Sequence, residues 1–263
     1  MESRHKIDLN SINMELFDEL KNYAFLERKI QDNYLSKIVN VLKSFLNWAK
    51  ERGTPINDDY RRFTCPEREK EIIFLTIEEL MTLYKHKFKN ARLDKARDIY
   101  CFGCFTGLRI SDILELENKH ITNDSIEKVI KKTRVRESIP LNKFAIEILQ
   151  KYKGVYEKPL PSISSQKLNS YIKDCCEEVK INSPFTITKF SGKTTQEVTM
   201  PKYAFITSHT ARKTFLTNSI ILGMNYMAAK GISGHKRDRN FNKYVKIAED
   251  FKKKEMEKTW NNL

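Results

Sequence analysis

The segment FTGLRISDILEL, residues 105–116, constrains the fold more than any other part of this sequence. It follows the apolar run IYCF at 99–102 and is itself largely apolar, yet it carries an arginine, Arg109. An unpaired guanidinium in apolar surroundings is costly, so arginine is rarely buried without an anionic partner. Two kinds of partner are possible for Arg109. One is the carboxylate of Asp112, which lies on the same helical face, and the other is an anion from outside the chain.

Length and composition predict two domains and exclude a membrane protein built from hydrophobic helices. The chain has 263 residues, more than a typical single domain, and 40% of them are hydrophobic, which is enough for packed cores. No apolar run approaches the roughly 20 residues that a membrane span requires. The N-terminus, MESRHKIDLN, lacks the apolar core of a signal peptide. We therefore expect a soluble, intracellular protein that has no contact with a membrane.

The charge of the chain points to a polyanionic partner. The formal net charge is +14, which is most often the signature of a nucleic-acid-binding protein. Residues 1–70 contribute +1 of this charge and the remainder contributes +13. The excess of positive charge therefore belongs to the C-terminal part of the chain.

The cysteines predict neither a disulfide framework nor a metal site. Their number, five, is odd, and nothing in the sequence indicates secretion. Cys101 and Cys104 form a C-x-x-C pair within an apolar helical run, and no second pair has the spacing of a zinc site. We interpret them as reduced core residues.

The first 70 residues predict a small helical bundle. Asn13 is a plausible cap for a first helix, and Gly53 follows the end of a second one. Apolar stripes define the two helices: Leu16, Phe17, Leu20, Tyr23 and Ala24 in the first, and Tyr34, Leu35, Ile38, Val41, Leu42, Phe45, Leu46 and Ala49 in the second. Residues 53–75 then contain prolines and charged runs, and we expect them to form an exposed linker.

A second, mainly helical domain is predicted after the linker. Thr76 and Glu79 have the spacing of a capping box, which marks the start of a helix. The segments 125–141 and 185–200 are rich in β-branched residues and predict two short hairpins. Helices are expected at about 77–88, 92–106, 109–117, 142–153, 165–180, 209–222, 225–231 and 238–258.

Further residues with potential chemistry lie in the basic part of the chain. In SHTARKTFLTN, His209 and Arg212 are three residues apart and project from the same helical face. In SGHKRDRNFNKY, His235 follows a glycine and Tyr244 comes nine residues later. Each has an ordinary explanation when taken alone: a surface pair, a turn histidine and a half-buried helix tyrosine.

Taken with Arg109, these residues suit phosphoryl transfer. Two arginines can each donate two hydrogen bonds to one phosphate. Histidines exchange protons near neutral pH, and a tyrosine hydroxyl held in line with a phosphorus atom is a competent nucleophile. The order Arg, His, Arg, His, Tyr within a basic domain therefore indicates a phosphate as the anionic partner of Arg109.

The blocks TGLRISDIL, HTARKTFLTN and SGHKRDRNFNKY resemble the three signature blocks of the tyrosine recombinases, the phage-type integrase family. The resemblance covers about 76–250 and is closest to integrases of conjugative and mobilisable transposons of the Bacteroidetes type. It implies a mainly α fold with small β-hairpins, arranged as a two-domain C-shaped DNA clamp. Residues 1–70 would be the SAM-like core-binding domain, and 76–263 the catalytic domain with an interaction tail at about 252–263.

The resemblance also implies a reaction without cofactors. Arg109 and Arg212 would bind the non-bridging oxygens of the scissile phosphate, and Tyr244 would attack it. The product would be a 3′-phosphotyrosyl link and a free 5′-hydroxyl, and exchange with a second DNA site would pass through a Holliday junction. A hairpin lysine would protonate the leaving oxygen; Lys132 is the candidate and Lys131 its competitor.

The resemblance assigns supporting roles to further residues. His209 would accept a proton or bind the phosphate, and His235 would donate a hydrogen bond to it. Contacts to the DNA backbone are expected from Arg134, Arg136, Lys213, Lys236 and Arg237. A homotetramer on DNA joined by the C-terminal tail, accessory DNA-bending or directionality factors, and a location at the bacterial nucleoid are also expected. The rival functions are strand relaxation, as in type IB topoisomerases, and DNA binding without cleavage.

Overall fold

A computed structural model describes residues 8–129, 136–234 and 238–260. The chain folds into two compact units. The first contains residues up to 71 together with 186–199, and the second contains 72–185 and the residues from 200 onward. Most of the described residues are helical, and each of the two sheets is an antiparallel hairpin, which confirms the predicted mainly α fold with small β-hairpins.

The first unit is built on two helices, α1 (Met14–Asn22) and α2 (Asp32–Lys50), with a π-helical turn after α1 at Tyr23–Glu27. Asn13 caps α1 as predicted, because its side-chain oxygen accepts a hydrogen bond from the Leu16 N–H at 2.9 Å. The core of the unit lies between the helices and the segment that follows α2.

Two features of the first unit differ from the sequence prediction. Only part of the predicted α2 stripe is buried: Leu35, Leu46 and Ala49 lie in the core, whereas Tyr34, Ile38, Val41 and Phe45 are exposed. The predicted stripe contains more residues than the core can bury, because only one face of α2 packs against the rest of the unit. The start of the expected linker is also buried, since Ile56, Tyr60 and Phe63 join the core, with the Phe63 ring stacked on Phe17 at 4.2 Å.

The second hairpin, β3 (Pro184–Ser191) and β4 (Thr194–Pro201), has its tip in the first unit. The Gly192 N–H donates to Asp32 Oδ1 at 2.8 Å, and the Arg68 guanidinium lies 5.0 Å from the centre of the Phe190 ring. Asp32 is 1% exposed and also accepts from Arg68 Nε at 3.3 Å. The sequence predicts this hairpin but not its position in the first unit.

The second unit holds the remaining elements. Thr76 and Glu79 form the predicted capping box at its first helix. The helices are α3 (Ile77–Lys85), α4 (Ala91–Thr106), α5 (Ile110–Leu114), α6 (Lys143–Tyr152), α7 (Ser165–Glu178), α8 (Ser208–Ile221), α9 (Tyr226–Ile232) and α10 (Asp238–Trp260). The first hairpin pairs β1 (Ser125–Val129) with β2 (Arg136–Pro140), with Ile126 opposite Ile139.

Helix α4 is the centre of the second unit. Its residues from Ala96 to Thr106 are all buried, and α3, α6, α7 and α8 pack around it. Cys101 and Cys104 lie on α4 and are buried thiols of one core, as predicted; Cys175 and Cys176 of α7 are buried thiols in the same core. Burial raises the pKa of each of these thiols, so they stay protonated at neutral pH.

A smaller core lies beside the first one. It joins α8, α9 and α10 through Phe215, Leu216, Ala229, Phe241 and Tyr244. The second unit therefore places the C-terminal signature block against the helix that carries the middle block. Within the described part of the chain, no helix combines the length and the apolar character needed to cross a bilayer.

Candidate active site

The turn after α4 requires glycine at position 107. Gly107 has φ +69° and ψ 5°, and its N–H closes the helix by donating to the Gly103 carbonyl at 2.9 Å. The Phe215 ring of α8 covers it so closely that a Cβ atom would lie 2.5 Å from the ring Cδ1. The chain can therefore turn toward Arg109 here only without a side chain.

Arg109 lies directly before α5, and hydrogen bonds to its backbone carbonyl fix its position. Its carbonyl oxygen accepts hydrogen bonds from the N–H groups of Asp112 at 2.9 Å and Ile113 at 3.0 Å. Its side chain is 19% exposed, and Nη1 lies 4.0 Å from the buried Asp112 Oδ2. This separation is at the outer limit of an ion pair, so the contact between the two side chains is a long one.

Arg212 of α8 joins all three signature blocks. Its Nη1 donates to the carbonyl oxygen of Gly107 at 2.8 Å, and its Nη2 donates to that of Ser233. The residue is 5% exposed. A backbone carbonyl has no formal charge, so these bonds fix the plane of the guanidinium without neutralising its positive charge.

The first turn of α8 is anchored from two sides. Asn169 Oδ1 on α7 accepts the Ser208 N–H at 2.7 Å, and the Tyr100 hydroxyl of α4 lies 2.8 Å from Thr210 Oγ1. His209 lies between these two anchored residues and is exposed. The helix start that carries His209 is thus fixed while its side chain faces outward.

Tyr244 of α10 is 8% exposed and packs in the smaller core with Phe215 and Phe241. Burial raises the pKa of its phenol above the ordinary value of 10.0, while the positive charge of Arg212 lowers it. The hydroxyl is therefore protonated at neutral pH, and it lies close enough to Arg212 to respond to its charge.

The model of the phage integrase family matches residues 74–250, more than half of the chain. The chain belongs to the phage integrase family. No curated protein matches this integrase in sequence.

Solved integrase structures share the fold at low sequence identity. A λ integrase dimer bound to a COC′ core site has a TM-score of 0.68 at 19% identity, covering 90% of this chain and 81% of that one. The Tn1549 transposon integrase with circular intermediate DNA has a TM-score of 0.68 at 16% identity, covering 92% and 84%. A λ integrase tetramer on a Holliday junction has a TM-score of 0.65 at 19% identity, covering 89% and 64%.

The structure describes part of the predicted site of this integrase. It places Arg212 in contact with Gly107, two residues before Arg109, and close enough to Tyr244 to affect its pKa. His209 and the half-buried Lys213 lie on the same helix as Arg212. For Arg136, only the backbone in β2 is described. Lys131, Lys132, Arg134, His235, Lys236 and Arg237 lie outside the described residues.

Several contributors to the site were not predicted from the sequence. The carbonyls of Gly107 and Ser233 belong to the backbone, so side-chain chemistry gives no sign of them. Asn169 meets the start of α8 from 39 residues away, which no local pattern indicates. Lys128 Nζ donates to the Asp112 carbonyl oxygen at 2.8 Å, and this residue does leave a sequence signal, because it interrupts the apolar alternation of the strand SIEKV.

Proposed function

We propose that this integrase is the site-specific recombinase of a mobile genetic element and that it uses Tyr244 to cut and rejoin DNA strands. The observation that carries the proposal is the double contact of Arg212 with Gly107 and Ser233, which joins the three signature blocks beside the tyrosine. Family membership supports the class of reaction, because phage-type integrases cut and rejoin DNA.

The proposed reaction transfers one phosphoryl group twice. The Tyr244 oxygen forms a bond to the scissile phosphorus, and the bond from phosphorus to the 5′-oxygen breaks. Arg109 and Arg212 donate hydrogen bonds to the non-bridging oxygens, which gain negative charge in the transition state. A 5′-hydroxyl of another strand then attacks the phosphotyrosyl link and releases the tyrosine. The bond energy is retained, so no nucleotide is consumed.

Proton transfer is assigned to residues that match the family motifs. The phenol proton leaves as Tyr244 attacks, with His209 as the proposed acceptor or phosphate ligand. His235 is the proposed hydrogen-bond donor to the phosphate, and Lys132, with Lys131 as its competitor, the proton donor to the 5′-oxygen. Because burial raises the pKa of the phenol, Tyr244 needs such an acceptor at neutral pH.

The partner is double-stranded DNA, bound by both units. We assign the core-binding role to the residues up to 70 and the backbone contacts to Lys213 and the basic residues flanking the site, Arg134, Arg136, Lys236 and Arg237. We also propose assembly into a tetramer through the tail at 252–263, which is supported by the exposed Met256 near the end of α10. The working place of the enzyme would be the bacterial cytoplasm.

A plasmid carrying two copies of the end sequence of the encoding element tests the function. We predict recombinant circles, formed equally well with a metal chelator present and lost with Tyr244→Phe. Relaxed topoisomers without recombinants would indicate a type IB topoisomerase activity. Binding of the sites without either product would indicate a regulator that does not cut, and both results would contradict the proposal.

A further inference from the structure

Lys128 is a buried cation on a strand face that is otherwise apolar. In β1 the side chains of Ile126 and Lys128 are buried at 0% and 8% exposure, whereas that of Val129 is 57% exposed. An ammonium group is expensive to bury, and an apolar side chain of similar size would serve the packing at lower cost. The role of Lys128 is therefore better explained by the polar groups that its ammonium group contacts than by the space that its side chain fills.

The ammonium group contacts the short helix that follows Arg109. Lys128 Nζ donates a hydrogen bond to the Asp112 carbonyl oxygen at 2.8 Å and lies 3.9 Å from Glu115 Oε2. Helix α5 has only five residues, so it cannot satisfy the carbonyls of its last turn internally. A cation at these carbonyls also complements the negative end of the helix dipole.

Asp112 connects this contact to the active-site arginine. Its N–H donates to the Arg109 carbonyl at 2.9 Å, and its carboxylate lies 4.0 Å from the Arg109 guanidinium. Asp112 is 1% exposed, so it has little freedom to move independently of its neighbours. A shift of the carbonyl held by Lys128 would therefore move both the backbone and the side-chain support of Arg109.

We propose that Lys128 is a positioning residue that fixes Arg109 through Asp112. It lies four residues before Lys132 in the sequence, so it ties the strand that leads to the proposed general acid to the turn that holds the phosphate-binding arginine. This inference rests on the proposed function. Small displacements of a catalytic group cost large factors in rate, which gives a buried lysine a use beyond packing.

The test measures single-turnover formation of the covalent adduct on a nicked duplex taken from the end of the encoding element. Lys128→Met is expected to lower this rate by about 10- to 100-fold and to leave the Kd for the same duplex unchanged. Lys202→Met is the matched control, because Lys202 is equally buried and binds Glu79 at α3, away from Arg109. We expect that control to keep the wild-type rate.

Two further readouts separate positioning from a purely structural role. Lys128→Arg keeps a cation and an N–H donor, and it should recover most of the lost rate. In an Arg109→Lys background, Lys128→Met should have little additional effect, because the group that it positions is already lost. Additive effects of the two substitutions would contradict the proposal.

The outcomes distinguish this inference from the function on which it rests. If the wild-type protein forms no adduct on any element end, the proposed function fails. If the wild type forms the adduct and Lys128→Met forms it equally fast, only the positioning role fails. A Lys128→Met protein that does not fold, or a Lys202→Met protein that loses the same factor in rate, would also assign Lys128 to the fold alone.

Discussion

Arg212 Nη1 donates a hydrogen bond to the carbonyl oxygen of Gly107 at 2.8 Å, although the two residues are 105 positions apart in the sequence. The carbonyl of Ser233 accepts a second bond from the same guanidinium. Two backbone carbonyls thus orient the arginine that we propose as a phosphate ligand. Catalysis gains from such an arrangement because the enzyme need not reorganise when charge develops in the transition state.

Arg212→Lys and Arg109→Lys should differ in stability while both lose activity. Each substitution removes a planar two-point phosphate contact, so adduct formation should fall by about 100-fold or more. Arg212→Lys also leaves buried carbonyls without donors, at a cost of about 1 to 3 kcal/mol in the free energy of unfolding. Arg109→Lys removes only a long contact to Asp112 and should cost less than about 1 kcal/mol. Denaturant unfolding measures both, and equal costs would contradict the anchoring of Arg212.

Gly107→Ala should destabilise the second unit strongly. The substitution strains a positive-φ position and drives a methyl group into the Phe215 ring, which together should cost roughly 3 kcal/mol or more. Gly154→Ala is the matched control in the same unit: Gly154 also has positive φ, +77°, but a Cβ atom there meets nothing within 4 Å. Its cost should be about 1 to 2 kcal/mol. Thermal unfolding that ranks the two equally would exclude the steric role of Phe215.

Tyr244 should ionise at higher pH than an exposed tyrosine. Burial raises its pKa, so folding favours the neutral phenol. The stability gained from this preference is fully present below the pKa of the unfolded chain and is lost as pH rises through the higher pKa of the folded state. The difference in tyrosinate absorbance between the wild type and Tyr244→Phe reports this step. An ionisation below pH 10.0 would contradict the burial of the hydroxyl.

Removal of residues 255–263 should weaken assembly more than DNA binding. The deletion takes away the end of α10 and the tail beyond it, including the exposed Met256, and leaves Tyr244 and its core intact. We expect the affinity for a single site to stay near that of the full chain while complexes containing two sites decrease. Gel-shift titrations with one-site and two-site DNA give both quantities, and equal losses would argue against the tail as an assembly element.

The helices were largely predictable from local patterns, whereas the catalytic roles of the site residues stay predictions. Asn13 and the Thr76 capping box mark helix starts by short-range chemistry, which a sequence displays directly. The motifs around Arg109, Arg212 and Tyr244 predict phosphoryl transfer only in combination, because each of them has an ordinary structural explanation when taken alone.

The features that escaped prediction depend on contacts between distant segments. The pairing of Asp32 with Gly192 spans 160 residues, so no periodicity could place the hairpin tip in the first unit. The burial of Tyr60 within a charged, proline-containing stretch depends on its bond to Asn47 and on the α2 face that it covers. Conversely, Val41 and Phe45 belong to an apolar stripe but lie exposed, because a periodic pattern shows that a helix has apolar faces but not which of them is packed.

The most direct test of the central claim is covalent trapping by Tyr244. The wild-type protein and Tyr244→Phe are incubated with nicked duplexes from the ends of the encoding element, and adducts are separated under denaturing conditions. We predict a protease-sensitive protein–DNA adduct with the wild type, and with Tyr244→Phe normal DNA binding but no adduct. An adduct that persists in Tyr244→Phe, or binding by both proteins without an adduct on any site, would contradict the assignment of Tyr244 as the nucleophile.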